Sequence, residues 1–171
     1  MNIRNIEKRD AALMADIYNY YVENSVYTFD ENPAGEQYFI EKIKTRQDKF
    51  PCLALEIDGK FAGFAYASAF AQKPAYRYTV ESTIYLDYHY AGRGAGTYLY
   101  TELLKGLKDR GFRRVIAVLG IPNKASESLH KKMGFTSGGG LNKVGFKFNK
   151  WIDIGYWQLD LDFWEPEVNE G

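Results

Sequence analysis

Cysteine, histidine and proline are scarce in this chain: one, two and five among 171 residues. A single Cys52 excludes an internal disulfide framework. It sits in the run Cys52-Leu53-Ala54-Leu55-Glu56-Ile57 with no basic neighbour in sequence, which points to an inert buried thiol and not a nucleophile. Neither His89 nor His130 belongs to a cluster with metal-ligand spacing, so no metal is expected. Net charge is missing too. Lys plus Arg and Asp plus Glu both number 22, which leaves nothing to drive binding to nucleic acid or an anionic membrane. No apolar run approaches the roughly 20 residues of a membrane helix, and Met1-Asn2-Ile3-Arg4-Asn5 opens without a signal peptide's apolar region. One domain of ordinary size, cytoplasmic, is the expectation.

What is present is an α/β pattern with hairpins. Asn2 to Ile6 reads as a strand, Asp10 as the cap of a helix to about Asn24, and Pro33 as the start of a second helix to about Asp48. Asp58-Gly59 is a two-residue hairpin turn between apolar runs. Gly138-Gly139-Gly140 reads as a break, and residues 146–157 as a closing hairpin turning at Asn149-Lys150. The acidic, proline-bearing end, residues 163–171, is expected to be a disordered tail after a single domain of residues 1–162.

The most informative stretch lies between. Ser82-Thr83-Ile84-Tyr85-Leu86 is β-branched and aromatic, a strand. Ala91-Gly92-Arg93-Gly94-Ala95-Gly96 follows, and Thr97-Tyr98-Leu99-Tyr100-Thr101-Glu102-Leu103-Leu104 has helical spacing. Glycines at alternate positions free the loop to take positive φ. Backbone N–H groups then converge at a helix N-terminus, an arrangement that suits phosphate, although a glycine-rich turn without ligand has the same pattern. The spacing fits no dinucleotide fingerprint, and no Gly-Lys is followed by Ser or Thr, which excludes a nucleoside-triphosphate loop. Downstream, Arg113-Arg114-Val115-Ile116-Ala117-Val118-Leu119 reads as a strand, and Lys124 to Met133 as a short helix closed by a left-handed Gly134.

Gly92-Arg93-Gly94-Ala95-Gly96, followed by Asn123-Lys124-Ala125-Ser126, Leu129 and Gly134-Phe135, resembles the two acetyl-CoA motifs of the GNAT acyltransferase superfamily. The stretch Tyr78-Thr79-Val80-Glu81-Ser82-Thr83-Ile84-Tyr85, with Gly145-Phe146-Lys147, Trp151, Asp153 and Trp157-Gln158-Leu159, resembles its phosphinothricin N-acetyltransferase branch, which includes methionine sulfoximine and sulfone acetyltransferases. The resemblance spans about residues 1 to 162. It implies a mixed, mostly antiparallel sheet of about seven strands, splayed at the acetyl-CoA site, with helices on both faces.

The resemblance also implies roles. The acetyl-CoA pyrophosphate falls to Gly92, Arg93, Gly94, Ala95, Gly96 and Thr97, with Arg93 either adding charge or standing solvated. The pantetheine arm falls to the backbone of Ile84, Tyr85 and Leu86 and to Asn123 with Ser126, where Asn123 is equally a helix N-cap. Ala91 stands where the family usually has Gln or Arg, which predicts weaker cofactor affinity. Glu81 is the candidate base, since a carboxylate in an apolar strand is costly to bury and burial raises its pKa; an outward-facing glutamate is the alternative. His130 replaces a Tyr that protonates the departing thiolate in many relatives, with an exposed helix histidine as its alternative. The acceptor, a small amino acid analogue, is assigned to Phe29, Lys73, Tyr76 and Lys147, with Lys73 standing where Arg is common. A homodimer is implied. The alternatives in function are a protein N-terminal acetyltransferase and a non-catalytic CoA-binding module.

Overall fold

The structure, a computed structural model, describes residues 1–166. Seven strands form one sheet in the order β1-β2-β3-β4-β5-β7-β6. They are β1 (Asn2–Asn5), β2 (Cys52–Ile57), β3 (Lys60–Ala69), β4 (Thr79–Leu86), β5 (Arg114–Ile121), β6 (Thr136–Lys147) and β7 (Lys150–Asp160). Every pairing is antiparallel except β4 with β5. Helices α1 (Ala11–Asn24) and α2 (Glu36–Arg46) cover one face; α3 (Ala95–Asp109) covers the other, and α4 (Lys124–Lys132) follows β5. Among the described residues no helix is long and apolar enough to cross a membrane.

Alternation along the strands builds two cores. Val80 of β4 packs under Leu99, Leu103 and Leu107 of α3, while Phe64 and Tyr66 of β3 meet Met14 and Val22 of α1 and Phe39 of α2. The expected Asp58-Gly59 turn is present, with φ of 51° and 74°, the left-handed pair that a two-residue hairpin needs. Gly134 is left-handed as well, at 89°.

Four expectations shift. Helix α2 starts at Glu36 and not Pro33, because Asn19 accepts from Ala34 N–H at 2.7 Å and donates to its carbonyl at 2.9 Å, holding that segment against α1. Asp10 stands at the head of α1 without a side-chain cap bond. Its carboxylate instead takes two bonds from Arg4, at 2.7 and 2.8 Å, and the N–H of Glu7 at 2.8 Å. The glycines 138–140 do not end a strand. They lie within β6, where a register irregularity follows Ser137 and a Cβ on Gly140 would fall 2.6 Å from the carbonyl of Ile154. The closing turn is Phe148-Asn149, both left-handed, one residue earlier than the spacing suggests. At the C-terminal end, Trp164 is buried and donates to the carbonyl of Met133 at 3.1 Å. Residues 167–171 of the expected tail lie outside the described residues.

Burial alone would raise the pKa of Asp10, but its Arg4 and Glu7 bonds outweigh that and hold it below the ordinary carboxylate range. A depressed carboxylate contributes stability that is present above about pH 4 and lost on further acidification. Asp10→Ala removes those bonds and should cost about 1–3 kcal/mol of unfolding free energy at neutral pH in urea titration.

Candidate active site

The sheet parts in its middle. Strands β4 and β5 pair only at Thr79 with Arg114, Val80 with Val115 and Glu81 with Ile116. Beyond that point β4 stays with β3 through Leu86, and β5 stays with β7 through Ile121. A parallel pair so short leaves one backbone edge of residues 83–86 without a strand partner. Such an edge offers N–H and C=O groups to an extended amide chain. Tyr21 reaches over from α1 and donates to the carbonyl of Leu86 at 2.6 Å.

A cleft of about 690 Å³ fills the opening. Its walls include residues 81–86 of β4, residues 117–120 of β5, Gly92, Gly94, Gly96 and Thr97 of the glycine loop and α3, and Asn123, Ser126 and His130 at α4. Gly92 and Gly94 have φ of 76° and 77°. Gly94 is the N-cap of α3 and supplies no side-chain cap, so the N–H groups of the first turn, at Ala95, Gly96 and Thr97, stay available for an anion. Gly96 has a packing role besides: a Cβ there would stand 3.3 Å from Leu129 and Leu86. Asn123 caps α4, accepting from Ser126 N–H at 3.1 Å, so its structural reading holds. Because it also lines the cleft, its amide nitrogen can still serve a ligand.

Glu81 occupies the vertex where the strands separate. Burial raises its pKa, and the charge of Lys42 acts against that without cancelling it. A carboxylate held so accepts a proton more readily than an exposed one. Lys42 of α2 escaped the sequence reading. Its ammonium lies 3.4 Å from the Tyr66 hydroxyl and 4.5 Å from the centre of the Tyr38 ring.

His130 is buried, which excludes the exposed alternative. Its Nδ1 lies 2.7 Å from the carbonyl oxygen of Ser126. Only an N–H satisfies a carbonyl, so Nδ1 carries the proton and Nε2 is bare. The Tyr100 hydroxyl, 3.1 Å away, therefore donates to Nε2 and itself accepts from Ser82 Oγ at 2.7 Å. Burial pushes the imidazole pKa down, against the pull of the Ser126 carbonyl, so the neutral form prevails at neutral pH. The chain Ser82–Tyr100–His130–Ser126 joins β4, α3 and α4 on the sheet face opposite Glu81. No local pattern announces it, since Tyr100 reads as one more apolar position of α3.

The acceptor residues divide. Phe29 lines the cleft together with Tyr27 and Thr28. Lys73 and Tyr76 are exposed and outside it; Tyr76 belongs to a second cleft of about 740 Å³ that holds neither Glu81 nor His130. Lys147 is buried beneath the loop carrying Phe29, donating to the carbonyls of Ser25 and Thr28 at 2.9 Å each. Two of its three donors are thus committed within the protein. Arg93 is exposed and off the cleft wall. Cys52 is buried, its thiol pushed up by burial to about 11.

This fold and this cleft define an acetyltransferase. The model of the acetyltransferase (GNAT) family matches residues 14–135, and the chain belongs to that family. It is 39% identical to a phosphinothricin N-acetyltransferase of Streptomyces viridochromogenes over 97% of this chain and 91% of the relative. It is 30% identical to an L-methionine sulfoximine/L-methionine sulfone acetyltransferase of Salmonella typhimurium, over 95% of each chain. A crystal structure of a GNAT phosphinothricin acetyltransferase from Sinorhizobium meliloti, in complex with acetyl-CoA, superposes with a TM-score of 0.89 at 34% identity, covering 93% of this chain and 87% of that one.

Two outcomes follow from the geometry. Gly94→Val puts a β-branched residue at a left-handed φ in the phosphate loop. Calorimetric titration should then give acetyl-CoA affinity at least about tenfold weaker, a loss of about 1.4 kcal/mol, with far-UV circular dichroism unchanged. Unfolded histidine binds a proton below about pH 6.5, whereas folded His130 resists it, so stability should fall as pH drops through that value. Melting curves of His130→Gln should show a flatter slope between about pH 5 and 6.5.

Proposed function

We propose that this enzyme transfers the acetyl group of acetyl-CoA directly to the amine of a small amino acid analogue such as phosphinothricin or methionine sulfoximine. One observation carries the proposal: an unpartnered, half-buried Glu81 at the vertex of a cleft whose far end is a helix N-terminus with free N–H groups. The N–H groups of residues 95–97 take the pyrophosphate, and the open edge of Ile84, Tyr85 and Leu86 takes the pantetheine amides. That places the thioester near Glu81. The carboxylate removes a proton from the acceptor ammonium, and the freed lone pair attacks the thioester carbon. A backbone N–H on the same edge stabilises the oxyanion. As the C–S bond breaks, the nitrogen gives up its second proton and the departing thiolate takes it, giving an amide and free CoA; the first proton, held by Glu81, passes to solvent and restores the carboxylate. Direct transfer is favoured because Cys52, the chain's one thiol, is buried and absent from the cleft wall. Neutral His130 acts in this scheme by holding Tyr100 and Ser82 in place behind β4.

The acceptor class rests on the relatives and on the aromatic wall of Tyr27 and Phe29 beside Glu81. A homodimer fits the outer hairpin of β6 and β7, where Leu141, Val144, Phe146, Phe148 and Trp151 are all exposed; apolar side chains gathered so mark an association surface. A cytoplasmic location fits an enzyme that uses acetyl-CoA. Lys73 and Tyr76, off the cleft of their own chain, would bear on the acceptor only across such an interface.

Mass spectrometry of reactions with phosphinothricin, methionine sulfoximine and an N-terminal peptide should find acetylated product with the first two. Product from the peptide alone would favour the protein N-terminal acetyltransferase. Glu81→Gln should cut turnover roughly 10²–10⁴-fold near neutral pH with acetyl-CoA affinity little changed. Lys73→Arg should lower the acceptor KM and Lys73→Ala raise it; no response to either would remove Lys73 from the acceptor site.

A further inference from the structure

The loop between α1 and α2 rests on the sheet at two glycines. On β5, a Cβ at Gly120 would collide with the carbonyl oxygen of Val26 and stand 3.2 Å from the Phe29 ring. On β6, a Cβ at Gly145 would lie 2.6 Å from Cζ and 2.7 Å from Cδ2 of Phe29, with Cε2 nearer still. Gly145 is buried, and its position depends on an irregularity in β6: register is lost after Leu141 and regained at Gly145 opposite Ile152. Lys143, within that irregularity, has φ of 52° and donates its N–H to Asp153 at 2.7 Å. Two residues past Gly145, on the same strand face, Lys147 holds the Ser25 and Thr28 carbonyls. Thr28 Oγ1 lies 2.7 Å from the Tyr18 hydroxyl, which also donates to Asp30. The loop is thus held from α1, β5 and β6 at once. Phe29 nevertheless stays 40% exposed, with its free face toward the cleft that contains Glu81.

We propose that Gly145 is a specificity-determining residue: by admitting the Phe29 ring to the sheet surface it sets the depth of the acceptor end of the cleft, and Lys147 is the positioning residue that fixes the loop there. The proposal rests on the acceptor reading given above. Any side chain at position 145 drives the ring outward into the space where the acceptor binds. Because Gly145 has no left-handed φ, alanine is compatible with the backbone, and the three atoms its Cβ would meet first all belong to the ring.

Gly145→Ala, Phe29→Ala, Lys147→Met and the Phe29→Ala/Gly145→Ala double variant test this in the full chain. Gly145→Ala should raise the KM for phosphinothricin or methionine sulfoximine roughly tenfold or more, with kcat and the KM for acetyl-CoA within about threefold of wild type. Lys147→Met should move the same parameter in the same direction. In the double variant the two substitutions should be non-additive, with no further rise in KM beyond Phe29→Ala alone. A loss of Tm in Gly145→Ala should be cancelled by Phe29→Ala. An unchanged acceptor KM in Gly145→Ala, or strict additivity in the double variant, would overturn the proposal. If wild type acetylates neither acceptor while the Tm coupling holds, the acceptor reading fails and the seat itself stands.

Discussion

Everything in the site descends from the shortness of one strand pairing. Strands β4 and β5 run parallel for three residue pairs and then part, because each keeps its other neighbour: β4 stays registered with β3 to Leu86, and β5 with β7 to Ile121. Were the parallel ladder to continue, residues 83–86 would have no free edge and the cleft would close. Because it stops, Glu81 sits at the vertex, and both strands deliver their following helices to the open end. β4 leads through the glycine loop into α3, and β5 leads through Asn123 into α4. Two helix N-termini and one bare strand edge therefore line the same opening, with no ligand-binding insertion required.

The parity of β4 assigns the chemistry to two faces. Glu81 points to the face covered by α1 and α2, where it meets the field of Lys42; Ser82, its neighbour, points to the α3 face and anchors Tyr100 and His130. Buried polar groups are costly unless each has a partner. From Ser82 through Tyr100 and His130 to Ser126 each polar side-chain atom has one, and the Ser126 carbonyl fixes the imidazole tautomer. Glu81 is the contrast. It is half-buried, without a hydrogen-bond partner among the described residues, and burial raises its pKa. A partnered carboxylate such as Asp10 is held down by its arginine, and the base role proposed for Glu81 rests on that difference.

Local chemistry made much of this legible in sequence. Asp58-Gly59, Gly92, Gly94 and Gly134 each occupy a left-handed position for which few other residues serve, so a reading of residue types finds them. The family resemblance rests on the same residues. What stayed hidden depends on contacts between distant segments. Tyr100 meets His130 across 30 residues, and Lys147 meets Thr28 across 119; nothing near either residue signals its partner. The family resemblance assigns Lys147 to the acceptor; its side chain lies on the carbonyls of Ser25 and Thr28, under the loop that carries Phe29. Helix α2 began late for the same reason, since Asn19 captures Ala34 from an adjacent helix. The glycines 138–140 misled because a glycine run signals a break, and here it allows β6 to lie close upon β7.

The proposed acetyl-CoA site is the parting of β4 and β5, with Glu81 at its vertex. A crystal structure of this chain with acetyl-CoA tests it most directly. The pyrophosphate should lie against the N–H groups of residues 95–97, the pantetheine amides should pair with the free edge of residues 83–86, and the thioester should lie beside Glu81. A cofactor lodged in the second cleft near Tyr76, or a thioester carbon out of reach of Glu81 with one acceptor amine between them, would contradict it.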